Sequence, residues 1–393
     1  MSVEGELHIN LMCRDRHVEQ VNIRSSRPMQ LPLIFKGKPM DDVLQMIPML
    51  YSVCANAQAQ AAVTACRQAV DQVADPSVAA AESMLVWCET GREHLWRILI
   101  DWPAFAGETV DRTQLKDLPE LMKRAKSACF GNQSKAFSLQ PELQFDPERF
   151  QQVIDYLSTT SERAVFGLPP EHWYDMADSD DFHRWVDKKA TAPARLLSMI
   201  KAEEIGQLGD VPVCALPPFD CDEIDQRLQA PDADRFVSAP DWDEIPCEST
   251  TLTRQSAHPL INALQRDYGN GLMTRMVARL LELAEIPRLL SRKLQSLLNG
   301  NVPKIELAHG SRGVGVGIVE AARGRLTHRV LLEGDLINRY QILAPTEWNF
   351  HPAGIVAQAL TGLPAGDEDQ LRRQASLFIN AVDPCVGYRL EVT

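Results

Sequence analysis

The chain has 393 residues, a formal net charge of −13 and 45% hydrophobic residues. An acidic chain lacks the basic surface that neutralises phosphates, so a nucleic-acid partner is not expected. No apolar run reaches the length of a membrane span, and the N-terminal segment has no signal-peptide core. We therefore expect a cytoplasmic protein without membrane contact, and we treat residues 1–393 as a single domain.

The first third of the chain predicts a hairpin followed by helices. Apolar and polar residues alternate in segments 6–11 and 19–25, which indicates two paired strands. Helical spacing predicts helices at 40–50, at the Ala-rich segment 57–74 and at 79–102, the last ending before Pro103. Residues 130–255 contain helical segments at 146–158 and 195–208 between acidic, Pro-rich loops, and we interpret this region as a variable, loop-rich insertion.

In the last third of the chain, the spacing of apolar residues changes from a helical period to one typical of strands. A helix is predicted at 271–286 with a break or kink at Pro287. Short strand-like segments follow at 313–322, 325–334, 335–343 and around 346–350, and a last helix is predicted at 368–382. The segment GSRGVGVG (310–317) lacks the Lys-Ser/Thr ending of a phosphate loop, so a Gly-rich strand or bulge is the preferred interpretation. The order predicts a mostly helical α+β protein whose two ends meet.

The nine cysteines are odd in number and show no framework spacing, which favours free thiols in a reducing compartment. No Cys-x-x-Cys or His-x-x-x-His pair is present, so local spacing predicts no zinc site. Cys66 and Cys88 are expected to pack in helix interiors. The irregular spacing of Cys214, Cys221 and Cys247 favours separate thiols over a second metal site.

Two cysteines lie at the ends of predicted elements. Cys54 stands where one helix ends and the Ala-rich helix begins, and Cys385 follows Asp-Pro near the C-terminus. A lone Cys is ordinarily a small buried hydrophobe. A thiol at a helix N-terminus ionises more readily, however, and the thiolate is the form that binds metals. Both interpretations stay open on these residues alone.

Five segments together resemble, in family order, the large subunit of nickel–iron hydrogenases. They are VEGELHINL (3–11), KGKPMDDVLQMIPMLYSVCANAQAQA (36–61), EAARGRLTHRV (320–330), YQILAPTEWNFHP (340–352) and DPCVGY (383–388). The corresponding family patterns are R-x-E-G-H-L-x-I, K-G-R-x-P-x-D-A running into R-x-C-G-x-C-x-x-x-H, E-A-P-R-G-x-L-x-H, Y-Q-x-x-x-P-T-x-W-N-x-x-P and D-P-C-x-x-C. The resemblance implies the fold of that family, a helix bundle with small β elements near both ends of the chain.

The departures from the family pattern bear on the metals. In the catalytic family four thiolates hold nickel and iron. Here Tyr51 and Cys54 occupy the positions of the first pair, Cys385 and Tyr388 those of the last pair, and Gln58 replaces the following His. Phenols do not replace thiolates on soft nickel at ordinary pH, so no nickel and no hydrogen oxidation are expected. The resemblance therefore implies a protein that is not an enzyme.

Other family positions are retained. Arg323 matches the Arg that lies near the diatomic ligands of the iron, Glu4 matches an acidic residue beside a metal-bound Cys, and Asp383 shapes the turn that carries the last Cys. Gln58 and His328 are also expected around the iron, although His328 is equally open to being a satisfied core histidine. Glu391 stands where the family has a late His, and the chain ends at Thr393 without the tail that a maturation protease removes.

This pattern resembles the HupK/HoxV family of hydrogenase expression and formation proteins. The resemblance implies a scaffold that holds the Fe(CN)₂(CO) fragment between Cys54 and Cys385 before transfer to the hydrogenase large subunit precursor. It also implies a HypC-like small chaperone and other maturation proteins as partners. Two alternatives stay open: a metal-free structural paralogue that docks maturation partners, and a divergent enzyme built on the same fold.

Overall fold

The computed structural model describes residues 5–28, 30–132, 136–303 and 313–393. The strands are β1 (Glu6–Arg14), β2 (His17–Ser25), β3 (Val314–Ala321), β4 (Gly324–Glu333), β5 (Leu336–Leu343) and β6 (Gly387–Val392). The helices up to the middle of the chain are α1 (Met40–Leu50), α2 (Ala55–Ala69), α3 (Pro76–Phe105), α4 (Leu121–Phe130), α5 (Pro147–Ser161), α6 (Pro170–Tyr174), α7 (Ser179–Asp187), α8 (Ala192–Ala202), α9 (Cys221–Gln229) and α10 (Ala233–Ser238). The later helices are α11 (Thr251–Arg254), α12 (Pro259–Tyr268), α13 (Leu272–Leu298), α14 (Pro345–Asn349), α15 (Ile355–Leu360) and α16 (Glu368–Val382).

The structure confirms the mostly helical α+β class. The long helices α3 and α13 cross the main core, where α13 packs against α3, α5, α6 and α12. No helix in the described part of the chain is long and apolar enough to cross a membrane. Residues 130–255 carry α5 to α11 in the described structure, and their interpretation as a variable insertion stays a prediction.

The predicted end of a helix before Pro103 is wrong, and so is a break at Pro287, whereas a kink at Pro287 stays a prediction. Pro287 does not break α13, which continues to Leu298, and Pro103 lies inside α3, which continues to Phe105. A proline inside a helix removes one backbone hydrogen bond at a cost of about 3 kcal/mol. Pro287 is itself buried, so packing on neighbouring helices offsets that cost.

The two ends of the chain meet in one sheet, as predicted. Its order is β2-β1-β6; β1 pairs antiparallel with β2 in the predicted hairpin and parallel with β6. Leu7 of β1 lies opposite Tyr388 of β6. Because Cys385 stands two residues before the start of β6, this pairing restricts where its thiol lies.

A second sheet, β3-β4-β5, supports the Ala-rich helix α2. A Cβ added to Gly317 would lie 2.0 Å from the carbonyl oxygen of Ala61, and one added to Gly315 would lie 1.8 Å from that of Ala65. The small residues of α2 and β3 therefore allow the two backbones to approach each other closely. Of the Gly-rich segment, residues 313–317 open this sheet as a strand, and residues 310–312 lie outside the described residues.

The strand-like interpretation of residues 346–350 is wrong, because Pro345–Asn349 form the short helix α14. Pro345 at the first helical position suits the fixed backbone angle of proline. The side chain of Asn349 holds the turn before β4: its Nδ2 donates to the carbonyl oxygens of Ser249 at 3.0 Å and Arg323 at 2.9 Å. This short helix thus joins two segments that surround the candidate site.

Candidate metal centre

Cys54 directly precedes α2 and is buried, with 8% of its surface exposed. The amide of Gln58, one helical turn later, donates to the Cys54 Sγ at 3.7 Å. On the other side, the carboxylate of Glu89 in α3 accepts from the backbone N–H groups of Asn56 at 2.9 Å and Ala57 at 3.0 Å. Glu89 thus caps the start of the helix that carries the thiol.

The expected easier ionisation of Cys54 is wrong. Burial raises the pKa of the Cys54 thiol well above its ordinary value, and the nearby Cys385 sulfur and Glu89 carboxylate raise it further. The helix start does not lower it enough because Glu89 already occupies the free N–H groups and brings its own negative charge. Without a bound cation the protonated thiol is therefore the favoured form.

Cys385 is held by Thr346 of α14. Its backbone N–H donates to the Thr346 Oγ1 at 3.2 Å, and its Sγ lies 2.7 Å from the same oxygen. Because Oγ1 accepts from the backbone, its own proton is free to point at the sulfur. Burial raises the pKa of Cys385, whereas Arg27, the Thr346 hydrogen bond and Arg323 lower it.

Arg323 stands on the turn between β3 and β4, and both cysteine sulfurs interact electrostatically with it. Burial opposes its charge, but Asp383, Glu93 and the two cysteine sulfurs outweigh burial and raise its pKa. Its Nε donates to Asp383 and its Nη2 to Glu93, each at 3.1 Å. The third nitrogen, Nη1, is buried and has no hydrogen-bond partner among the described residues. A cationic donor is therefore free in the neighbourhood of both thiols.

The glycine after Arg323 is required by the packing of the turn. Gly324 has φ +130°, and a Cβ there would lie 1.8 Å from the carbonyl oxygen of Ser249. Any side chain at this position would push the arginine turn away from the core. The Arg-Gly pair of the sequence thus places a long cation on a turn that cannot move outward.

Asp383 anchors the turn that carries Cys385. It ends α16 with a left-handed φ of +70°. Arg97 Nε donates to its Oδ1 at 2.8 Å, and Arg279 Nη2 lies 3.5 Å from its Oδ2. Burial alone would raise the pKa of Asp383, but Arg323, Arg97 and Arg279 hold it well below its usual range. Arg97 also donates to the carbonyl oxygen of Pro384 at 3.1 Å, which fixes the Asp-Pro turn.

A hydrogen-bond chain leads from Cys54 to Tyr340. Gln58 donates to the sulfur, so its Oε1 accepts from the Nε2 of His328 at 2.8 Å. The Nδ1 of His328 then accepts from the Tyr340 hydroxyl at 2.8 Å, and these roles assign the neutral Nε2–H tautomer. Burial, and secondly the charge of Arg27, lowers the pKa of His328 to about 3. The histidine is both a satisfied core residue and part of the surroundings of Cys54.

A cleft of ≈ 550 Å³ is lined by Arg27, Tyr51, Tyr340 and Glu347, among others, and the charges of Arg27 and Glu347 act on the Cys385 thiol. Arg27 Nη1 pairs with Glu347 at 3.0 Å, and its guanidinium lies 5.9 Å from the centre of the Tyr51 ring. Tyr51 is therefore beside the site. Tyr388, in contrast, is half-buried in β6 and packs against the apolar cluster of the terminal sheet.

The structure brings together most of the predicted site residues: Cys54, Gln58, Arg323, His328, Asp383 and Cys385. Glu4 lies outside the described residues, so its position is not described. Within the described ranges, no group of three or more His, Cys, Asp or Glu side chains could hold a metal ion. Among the described residues, the candidate protein donors to a metal here are the two thiols, and the role of each residue stays a prediction.

Sequence analysis does not predict four contributors to this site: Arg27, Glu89, Glu93 and Thr346. Thr346 lies inside segment 340–352, which carries part of the resemblance. Its hydroxyl, a polar group within that segment, is the feature that could have indicated a site residue. Glu89 and Glu93 are one turn apart on α3 and 7% or less exposed, and an acidic pair in an apolar helix indicates buried partners. Arg27 follows β2 in a segment without a motif.

The sequence and the fold are similar to those of known hydrogenase-related proteins. Residues 246–387 match the nickel-dependent hydrogenase family. The fold is similar to that of the Ni-Fe-Se hydrogenase from D. vulgaris Hildenborough, with a TM-score of 0.66, 17% identity, and coverage of 95% of this chain and 94% of that one. The chain is 27% identical to the hydrogenase expression/formation protein HupV of Azotobacter chroococcum over 99% of this chain and 98% of HupV.

The similarity to HoxV of Cupriavidus necator, also a hydrogenase expression/formation protein, decides the family. The two sequences are 30% identical over 391 residues, which cover 94% of this chain and 92% of HoxV. Similarity over nearly the whole of both chains excludes a match confined to one shared segment. The chain belongs to the family of hydrogenase expression/formation proteins that includes HoxV, HupV and HupK, and it has the fold of a hydrogenase large subunit.

Proposed function

We propose that this protein acts in hydrogenase maturation as a scaffold without catalytic activity, which holds the Fe(CN)₂(CO) fragment as cargo on Cys54 and Cys385. The observation that carries the proposal is the unpaired Nη1 of Arg323 beside two buried thiols. A buried cationic donor without a partner costs free energy unless something accepts its hydrogen bond. A ligand with an outward-facing acceptor would remove that cost.

The chemistry of the site suits such a cargo. Thiolates are the soft ligands that low-spin iron with carbonyl and cyanide ligands accepts. Burial keeps both thiols protonated in the free protein, so binding of a cation would release their protons. A cyanide nitrogen is a strong acceptor for a charge-assisted hydrogen bond, which Arg323 Nη1 has available.

Release of the cargo is supported by the small number of protein ligands. Two thiolates hold a fragment less firmly than the four of a finished nickel–iron site, since Tyr51 and Tyr388 replace the other two. We propose the cleft lined by Arg27 and Glu347 as the route of the cargo, because the charges of both side chains act on the Cys385 thiol. We propose no nickel at this site, because neither phenol is a suitable ligand for it at ordinary pH.

The partners follow from the same proposal. The names of the relatives associate them with hydrogenase formation. For this chain we propose a HypC-like small chaperone or another maturation protein as the source of the fragment, and the hydrogenase large subunit precursor as its acceptor.

Anaerobic isolation from cells that mature hydrogenase tests the proposal. We expect infrared bands from bound carbonyl and cyanide, together with near-stoichiometric iron and no nickel. Cys54→Ala and Cys385→Ala should each abolish the bands. Cys66→Ala is the matched control, since Cys66 is buried in the same helix as the residues following Cys54 but only packs in the core.

Three results would overturn the proposal. Iron-free protein from maturation-competent cells would instead support a metal-free paralogue that docks maturation partners. Bands that survive in both cysteine variants would show that the fragment is bound elsewhere. Hydrogen-dependent dye reduction by the isolated protein would revive the divergent enzyme.

A further inference from the structure

A second pair of thiols lies outside the candidate metal centre. The Sγ atoms of Cys214 and Cys247 are 2.9 Å apart, although 33 residues separate them in the sequence. Cys214 is half-buried, and Cys247 is 3% exposed. Sulfur atoms this close lie between a disulfide bond of about 2.05 Å and an ordinary non-bonded contact.

The backbone holds these two segments in register. Glu248 N–H donates to the Cys214 carbonyl oxygen, and Leu216 N–H donates to the Glu248 carbonyl oxygen, each at 2.8 Å. These bonds form an isolated parallel bridge between Ala215 and Glu248. Pro246 directly before Cys247 restricts the chain further. The closeness of the sulfurs is thus a property of the fold and does not depend on flexible side chains alone.

A small oxidant can reach the pair. An open cavity of ≈ 260 Å³ is lined by both cysteines together with Pro212, Ile245 and Gln358, among others. Burial, and secondly the contact with Cys214, raises the pKa of Cys247 to about 12. The more exposed Cys214 is therefore the thiol that would react first, with Cys247 waiting beside it.

A metal ion between the two sulfurs is less consistent with this geometry. Two thiolates on one tetrahedral zinc, each bonded at about 2.3 Å, are roughly 3.7 Å apart. The observed 2.9 Å leaves no room for the ion. Among the residues that the structure describes, no third His, Cys, Asp or Glu joins the pair in a metal-binding group.

We propose that Cys214 and Cys247 are a redox-modification site that forms a reversible disulfide on reaction with a small hydroperoxide. The Cys214 sulfur attacks one peroxide oxygen; the O–O bond breaks, one water leaves and a sulfenic acid remains. The Cys247 sulfur then attacks that sulfur; the S–S bond forms, the S–O bond breaks and a second water leaves. The two thiols lose two electrons and two protons, and hydrogen peroxide is reduced to two waters.

The disulfide would restrain the segment that supports the turn at Arg323. Glu248 follows Cys247 and pairs with Arg275 at 3.0 Å in the core. Ser249 comes next, and its carbonyl oxygen accepts from the Asn349 amide that also holds the Arg323 carbonyl oxygen. Oxidation would therefore tie the segment behind Arg323 to residues 214–216 by a covalent bond.

Mass spectrometry of the full-length reduced protein after brief treatment with hydrogen peroxide tests the site. We expect the loss of two thiols and a cross-link between tryptic peptides 202–227 and 236–254, which dithiothreitol reverses. Because peptide 202–227 contains Cys221 as well as Cys214, the variants decide the assignment. Cys214→Ser and Cys247→Ser should each lose the cross-link, and the matched control Cys221→Ser should keep it.

Thermal unfolding gives an independent readout. Closing a loop of this length should raise the melting temperature of the oxidised protein by about 5 °C, and the rise should vanish in Cys214→Ser. The proposal is overturned if the cross-link persists without Cys214 or Cys247. It is equally overturned if peroxide leaves both thiols free, or drives Cys214 to a trapped sulfenic acid without cross-linking.

Discussion

Arg323 Nε and Asp383 Oδ1 are 3.1 Å apart, although 60 residues separate the two side chains in the sequence. Arg323 stands on the turn before β4, and Asp383 ends α16 directly before the Cys385 turn. One buried ion pair thus sets both the direction of the free Nη1 and the position of one thiol. Their coupling makes the pair the most informative place to perturb the centre.

Arg323→Lys tests the role of the guanidinium. Lysine keeps a positive charge but lacks the planar fork that binds Asp383 and Glu93 and still leaves one nitrogen free. We expect iron to be lost at least about tenfold faster from the variant, since a hydrogen bond to a charged group contributes roughly 1.5–3 kcal/mol. Iron content after anaerobic gel filtration, with the position of the cyanide infrared bands, measures this.

Arg325→Lys is the matched control, because Arg325 lies on the same hairpin but pairs with Glu320. Equal iron retention in Arg323→Lys and Arg325→Lys would contradict a contact between Arg323 and the cargo.

Asp383→Asn should destabilise the metal-free protein strongly. The change leaves Arg97, Arg279 and Arg323 without the carboxylate that compensates their buried charge. Breaking a buried ion pair from one side costs about 3–5 kcal/mol. Urea unfolding measures the loss, with Asp335→Asn in an exposed turn as the control. A change within about 0.5 kcal/mol of the control would show that the network does not stabilise the fold.

Gly317→Ala tests the close packing of α2 on β3. The added Cβ would lie 2.0 Å from the Ala61 carbonyl oxygen, which cannot move unless the helix leaves the sheet. We expect a loss of about 3 kcal/mol in the free energy of unfolding. Gly387→Ala in β6 is the control, because a Cβ there meets no atom within 4 Å. Similar stabilities of the two variants would mean that this contact is looser than described.

His328 should make stability depend on pH. Its pKa falls from the ordinary 6.5 to about 3 in the fold, so the unfolded chain takes up a proton first as the pH is lowered. The stabilising contribution is therefore complete above pH 6.5 and declines as the pH falls from 6.5 toward 3. The slope approaches about 1.4 kcal/mol per pH unit in that window.

His328→Asn should flatten that part of the curve in urea unfolding between pH 7 and pH 4, whereas replacement of the exposed His172 should not. An unchanged slope in His328→Asn would show that another group carries the dependence.

Sequence patterns predicted those parts of the fold whose causes are local. The alternation in β1 and β2, the helices at 40–50 and 368–382, and the order of β3, β4 and β5 all follow from neighbouring residues. Pro287 misled the prediction because burial of its helix on several sides is a property of the assembled core. β6 was missed as a strand because only its partner β1, at the other end of the chain, shows that it is one.

The same distinction applies to the centre. Cys54, Arg323 and Cys385 stand in segments that resemble family motifs, so they were accessible from the sequence. Glu89 was not, because its effect on Cys54 arises only when α3 packs on α2. Arg27 was not either, since its partner Glu347 is 320 residues away. Contacts of this kind have no local signature, yet they shift the pKa values of the two thiols in addition to burial.

The parallel pairing of β1 with β6 affects the order in which the two halves of the candidate metal centre form during synthesis. Glu89, which caps the helix after Cys54, is bonded to Asn56 only 33 residues earlier in the chain. The Cys54 half of the centre can therefore form early on the ribosome. The Cys385 half of the centre requires β6 to pair with β1. Contacts between segments that are so far apart in the sequence form slowly. In the nascent chain, the surroundings of Cys54 can therefore form before those of Cys385. Under the proposed function, only a chain that has completed this pairing would present both thiols, so loading of an incompletely folded chain would be disfavoured.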